Sequence, residues 1–144
     1  MTMSTHRRRE WSVFIVGILG TLFSGYQSAI KFFTETCPTF APCPYFMGYP
    51  ACYVGFALFL LIALLGGLHV YHFMEGKKAN QLVTLVAVLG VLFAGYYTLG
   101  DIPTLLEDGF SAYALGLPTC AYGLILYLFV LILSLRLQKD FSAV

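Results

Sequence analysis

The sequence predicts an all-α polytopic membrane protein, a four-helix bundle built from two tandem two-helix repeats with both termini cytoplasmic. Three observations predict it. The 144 residues are 59% hydrophobic and only 10% charged, with a mean hydropathy of +0.81. A soluble domain carries about 25% charged residues, so this chain could not cover a water-facing surface. Four apolar segments are each long enough to cross a bilayer, and two short strings recur at matching places in the two halves.

The first span runs from about Trp11 to Ile30 and the second from about Ala51 to Val70. The third covers Leu82 to Leu99 and the fourth about Tyr113 to Leu135. Roughly 20 helical residues, at a rise of 1.5 Å each, cross a 30 Å hydrocarbon core. The connections are polar or rich in Pro and Gly, which reads as helices rather than barrel strands. Arg7, Arg8 and Arg9 ahead of the first span are reminiscent of a secretory leader. No clear small-x-small cleavage site follows, so a retained helix is expected. The whole chain forms one membrane domain, repeat one covering about 11–72 and repeat two about 82–136. A net charge of +1 without a basic stripe argues against a nucleic-acid partner. No Gly-rich phosphate loop is present.

Charge placement predicts orientation. Arg7, Arg8, Arg9, Lys77, Lys78, Arg136 and Lys139 all fall at one side, leaving Lys31 as the only cation of the other two loops. Seven of eight basic residues on one side place that side, with both termini, in the cytoplasm of a cell inner or plasma membrane. Cys37 and Cys43 then lie in the first outer loop, and Cys52 and Cys120 at the outer ends of the second and fourth helices. All four thiols share the non-cytoplasmic side, where disulfides form and persist.

The repeat is visible in LGTLFSGY (Leu19–Tyr26) and LGVLFAGY (Leu89–Tyr96), identical at six of eight positions. Each is followed, after a loop of similar length, by Gly-x-Pro-x-Cys-x-x-Gly, as GYPACYVG and as GLPTCAYG. Both units therefore have the same orientation, a parallel repeat with a pseudo-twofold axis along the membrane normal. Gly20, Gly25, Gly90 and Gly95 are small surfaces for close helix approach. Pro50 and Pro118 suit a first helical turn. Cys52 and Cys120 stand two residues further in, at the positive end of the helix dipole, where a thiolate is favoured. Gly55 and Gly123 leave room beside each sulfur, so the two sulfurs could meet if both face the axis. Small cysteines simply packed between helices are the other reading.

The loop stretch TCPTFAPCPYFMGYP holds Cys37 and Cys43 in C-x5-C spacing, without the second pair or nearby histidine of a zinc site. No metal is expected. Four cysteines allow three pairings; the preferred set is Cys37–Cys43 with Cys52–Cys120. His69 and His72, at the cytoplasmic end of the second helix, read as interfacial residues near a helix C-terminus. Asp101, Glu107 and Asp108 read as a solvated surface in the second outer loop.

SGYQSAIKFF, CPTFAPC and PYFMGYPACYVG together resemble the opening of vitamin K epoxide reductase homologues, over roughly the first 60 residues. A weaker echo occurs where Cys120 opens the fourth helix, and the bacterial disulfide-forming quinone reductases share the four-helix plan. The resemblance implies electron flow from a thioredoxin-like periplasmic or extracellular protein to loop cysteines, then to a membrane-embedded pair, and finally to a quinone. Carried over by position, Cys37 and Cys43 match the shuttle pair and Cys120 the membrane active-site region. The family's Cys-x-x-Cys at the fourth helix is not retained, since PTCAYG has Gly123 where the second cysteine would stand. Either Cys52 replaces it from across the bundle, or the chemistry is absent.

A quinone so reduced needs an apolar slot and a group that stabilises charge developing on its oxygen. Tyr26, Tyr49, Tyr96 and Tyr122 are candidates to line the slot and Lys31 to supply the charge, against the plainer readings of an aromatic belt and a snorkelling lysine. The expected function is a membrane thiol–disulfide oxidoreductase passing electrons from protein thiols, through Cys37, Cys43, Cys52 and Cys120, to a quinone. The alternatives are a disulfide-stapled scaffold or accessory protein and, third, a small transporter, in either case with an oligomer possible. The spans offer few polar residues to line a transport path.

Overall fold

The structure is a computed structural model, and it describes residues 2–34, 45–109 and 119–143. About 90% of the described residues are helical. Helix α1 (Thr2–Thr34) is followed by a two-stranded hairpin, β1 (Tyr45–Phe46) and β2 (Tyr49–Pro50). Then come α2 (Ala51–Val70), α3 (Gly76–Asp108) and α4 (Thr119–Ser142). All four helices are long and apolar enough to cross a membrane. The lengths alternate: α1 and α3 have 33 residues each, α2 has 20 and α4 has 24. At 1.5 Å per residue the long pair measure about 50 Å and α2 about 30 Å, so α1 and α3 reach beyond a hydrocarbon core.

The second predicted span coincides with α2. The others shift at their ends. Helix α1 starts before the three arginines, and α3 continues past Gly100, through Pro103, to Asp108. Asp101, Glu107 and Asp108, read as loop residues, therefore belong to a helix. Pro103 removes one backbone donor near the end of α3, and the good helix formers that follow carry the helix on. Gly109, with φ 70°, ends it by donating to the Leu105 carbonyl at 2.9 Å. The first part of the fourth predicted span (113–118), including Pro118, lies outside the described residues.

Two local devices set the geometry of α2. At its start, Met47 (φ 51°) and Gly48 (φ 86°) form the two-residue turn of the hairpin, with Tyr45 opposite Pro50 and Phe46 opposite Tyr49. Positive φ at both central residues matches the right-handed strand twist. Pro50 then caps α2, just outside the first turn in which it was expected. At the far end His72 takes φ 61°. The His72 amide donates to the His69 carbonyl at 3.0 Å and the Phe73 amide to the Leu68 carbonyl at 2.8 Å. This is a Schellman ending with histidine where glycine is usual. It turns the chain within five residues into α3.

Helix α1 packs most extensively on α2 and α3 on α4, while α2–α3 and α1–α4 contacts close the ring. The core is a column of side chains along the bundle axis: Val13, Val16, Phe59, Ile62, Val83, Ala87, Ala94, Tyr127, Val130 and Leu137. Leu22, Leu85, Leu92 and Ile125 are exposed on the outside, as expected of helices that are apolar all round. In mid-column the rings of Phe59 and Tyr127 stack with centroids 4.1 Å apart and planes inclined by 8°. Each ring lies against a glycine of the facing helix: a Cβ on Gly20 would come within 2.7 Å of Phe59 Cγ, and one on Gly90 within 2.7 Å of Tyr127 Cγ. The expected packing role of these glycines is met. Gly25 is close to Phe56 as well, whereas Gly95 makes only ordinary contact.

Both chain ends lie at one end of the bundle. Arg9 pairs with Asp140 at 2.5 Å, and His6 meets Phe141 edge-on. The same end holds Glu10, whose Oε1 lies 2.8 Å from His6 Nδ1 and 2.7 Å from His69 Nε2. One turn further in, Asn80 donates to the Ser134 carbonyl at 3.0 Å, and the Ser134 and Thr84 hydroxyls bond to each other. These polar groups tie α1 to α2 and α4, and α3 to α4, where apolar packing alone would leave register loose.

Candidate functional site

The motif cysteines open α2 and α4 at the end of the bundle opposite the termini. Cys52 is the second residue of α2 and Cys120 the second of α4. Both line one central cavity of about 50 Å³. Its floor is the Phe59–Tyr127 stack, and its walls include Phe23, Phe93, Gly55 and Gly123. The glycines keep it open: a Cβ on Gly55 would meet nothing within 4 Å, and one on Gly123 only the edge of Tyr127. The room expected beside each sulfur is therefore present, and the thiols of both halves face the same space.

Polar groups around the cavity are few. The Cys52 thiol donates to Gln27 Oε1 at 3.6 Å, and Gln27 is only 5% exposed. The Tyr127 hydroxyl donates to the Gly55 carbonyl at 3.1 Å, and the Ser24 hydroxyl to the Gly20 carbonyl at 2.6 Å. Gln27 does not stand out in the sequence. The available signal is a polar residue one turn beyond Phe23 on the inward face of an apolar span, and a buried polar group of that kind finds a partner. Cys52 and Cys120 are not joined in a disulfide, and both are half-buried. Two thiols at helix starts thus border one small and mostly apolar space.

The other expected site residues divide. Cys37 and Cys43 lie outside the described residues. Tyr26 and Tyr96, equivalent positions in the two recurring strings, point outward and are 66% and 74% exposed, and Tyr49 on the hairpin is 66% exposed. None of the three lines the cavity; their placement is that of an aromatic belt. Tyr122 is half-buried and packs edge-on against Phe23, a wall residue, at 6.1 Å. Lys31 is half-buried near the end of α1.

A quinone ring does not fit the cavity as it stands, since a space that holds an aromatic ring is about 150 Å³. A larger groove of about 260 Å³ lies between α1 and α2, lined by Gly25, Ser28, Ala29, Phe32, Tyr53 and Phe56. It neighbours Cys52 in sequence through Tyr53. Among the described residues no group of three His, Cys, Asp or Glu side chains could hold a metal ion. That includes His6, Glu10 and His69, whose meeting at the opposite end the sequence does not signal. His72, by contrast, sits in the turn and is exposed.

No family model, curated protein or solved structure matches this chain.

Proposed function

We propose that the protein is a membrane thiol–disulfide oxidoreductase in which Cys52 and Cys120 form the membrane-embedded redox pair. The single observation that carries this reading is that both cysteines line one small cavity between the starts of α2 and α4. It supplies the partner for Cys120 that the missing Cys-x-x-Cys would otherwise have supplied. The pair then belongs to two copies of one unit. Phe59 and Tyr127 each stand seven residues after the motif cysteine, and Gly20 and Gly90 each stand second in the recurring string. Their stacking and ring-on-glycine packing on the bundle axis support a tandem repeat whose pseudo-twofold axis passes between the sulfurs.

The chemistry balances in two steps. A thiol pair of a thioredoxin-like partner reduces the Cys52–Cys120 disulfide, through a mixed disulfide and with Cys37 and Cys43 as relay, and leaves the partner oxidised. The two protein thiols then give two electrons and two protons to a quinone, forming the disulfide and a quinol. The quinone docks in the groove beside Tyr53, which is large enough for a ring, and Lys31 offsets negative charge developing on its oxygen. The excess of Lys and Arg at the end that carries the termini supports a cytoplasmic location for that end and a non-cytoplasmic one for the cysteines. That is the side on which such a pair stays oxidised.

The test is thiol mapping in native membranes. Free cysteines are alkylated before and after graded reduction, paired cysteines are identified by mass spectrometry, and the reduced sample is repeated with added quinone. Cys52 and Cys120 should oxidise together and only when quinone is present, and Cys52→Ser should leave Cys120 permanently alkylatable. Thiols that never pair, or a disulfide indifferent to both reductant and quinone, would replace this reading with a scaffold one.

A further inference from the structure

We propose that the face of α1 formed by Arg7, Arg8, Trp11, Ser12 and Ile15 is a binding site for one anionic phospholipid. These residues line a groove of about 500 Å³ at the end of the bundle that carries the termini. The inference rests on the membrane reading of the fold and is independent of the thiol chemistry.

Charge bookkeeping at this end singles out the two arginines. Glu10 is engaged by His6 and His69, Asp140 by Arg9, and Glu75 by Lys78 at 3.2 Å. Each of these carboxylates is thus committed elsewhere, and among the described residues no acidic side chain pairs with Arg7 or Arg8. Both are exposed. Two adjacent guanidiniums with no protein counter-ion are suited to a phosphate, which they can hold through parallel N–H donors.

The rest of the face follows the build of a lipid. Trp11 lies one turn below Arg7 and Arg8, where the indole suits the ester region of a bilayer. Ile15 opens an exposed apolar stripe that continues through Ile18, Leu19 and Leu22. From Arg8 to Ile15 is about 10 Å along the helix, which spans the polar headgroup layer and reaches the acyl chains. The Ser12 hydroxyl donates to the Arg8 carbonyl at 2.8 Å, so its proton is satisfied within the helix and the phosphate is left to the two guanidiniums. A diffuse basic surface would concentrate anionic lipid without a fixed depth; this face orders headgroup, interface and tail contacts along one helix.

Trp11 is the only tryptophan of the chain, so the site carries its own reporter. The full-length protein is reconstituted in phosphatidylcholine vesicles containing, as a minor component, either brominated phosphatidylglycerol or the same fraction of brominated phosphatidylcholine. Trp11 quenching should be several-fold stronger with the anionic lipid, because each basic residue at the surface enriches it roughly fivefold. It should saturate at low mole fraction and be chased by unlabelled phosphatidylglycerol. The enrichment should vanish in the Arg7→Gln/Arg8→Gln double variant and persist in Lys77→Gln/Lys78→Gln. Equal quenching by the two lipids would overturn the proposal. So would quenching that rises linearly without saturation, or an equal loss in the lysine variant, since either marks a diffuse charge effect. Saturation and chase are read in the wild type, so the test stands even if the arginine variant fails to insert.

Discussion

Replacing Gly20 by Ala tests the central stack directly. The added methyl would lie within 2.7 Å of Phe59 Cγ, with the ring's Cδ1 and Cε1 closer still, where carbon atoms normally rest about 3.5–4.0 Å apart. The ring would have to retreat by about 1 Å, and it cannot retreat freely because Tyr127 lies flat against its other face at 4.1 Å. Tyr127 is in turn backed by Gly90 and held by its hydroxyl to the Gly55 carbonyl. Overpacking of this kind costs about 1–3 kcal/mol. Alanine's better helix propensity returns about 1 kcal/mol, so the net loss should be about 0–2 kcal/mol, against a gain of up to about 1 kcal/mol where no clash arises. Reversible unfolding in mixed micelles, followed by circular dichroism, measures it. Gly100→Ala is the control, because a Cβ there meets nothing within 4 Å; it should be neutral or slightly stabilising. Phe59→Leu alone should destabilise by removing the stack, yet in the Gly20→Ala background it should cost less, giving a coupling of about 1 kcal/mol. A Gly20→Ala protein as stable as Gly100→Ala, or strict additivity with Phe59→Leu, would refute the argument.

Three further outcomes follow from the same geometry. Tyr127→Phe keeps the stack but loses the hydrogen bond to Gly55, and should cost about 1 kcal/mol in the same unfolding assay. Asn80→Leu removes the interhelical hydrogen bond to the Ser134 carbonyl and should cost about 0.5–2 kcal/mol, the range of such bonds in membranes. Arg9→Gln should cost no more than about 1 kcal/mol, because the Arg9–Asp140 pair is partly exposed and solvent-screened; a larger loss would mean that this pair alone holds the termini together.

Much of the site is legible in the sequence because the motif places cysteine at a fixed offset from a helix-starting proline. That offset by itself assigns Cys52 and Cys120 to helix starts at one end of the bundle. Which tyrosines face inward is not legible. Tyr26 and Tyr96 sit in recurring strings beside inward-facing glycines, but helical periodicity in a chain apolar on every face has no polar side to mark the outside. Gln27 escapes notice for a related reason: a lone polar residue in an apolar span reveals burial only when its partner, here the Cys52 thiol, is known.

Composition and segment length alone determined a membrane protein of four helices, since so few charges cannot solvate a surface and 20 apolar residues match a bilayer. The recurring strings and charge placement led to the expectation of paired halves. Only the tertiary structure decided that both motif cysteines open onto the same cavity, that Phe59 and Tyr127 meet as its floor, and that His6 and His69 converge on Glu10. Those facts depend on the rotation of each helix about its own axis. That rotation is fixed by ring-on-glycine packing and a few polar ties between residues far apart in the chain, and a hydrophobic pattern with no polar face does not encode it.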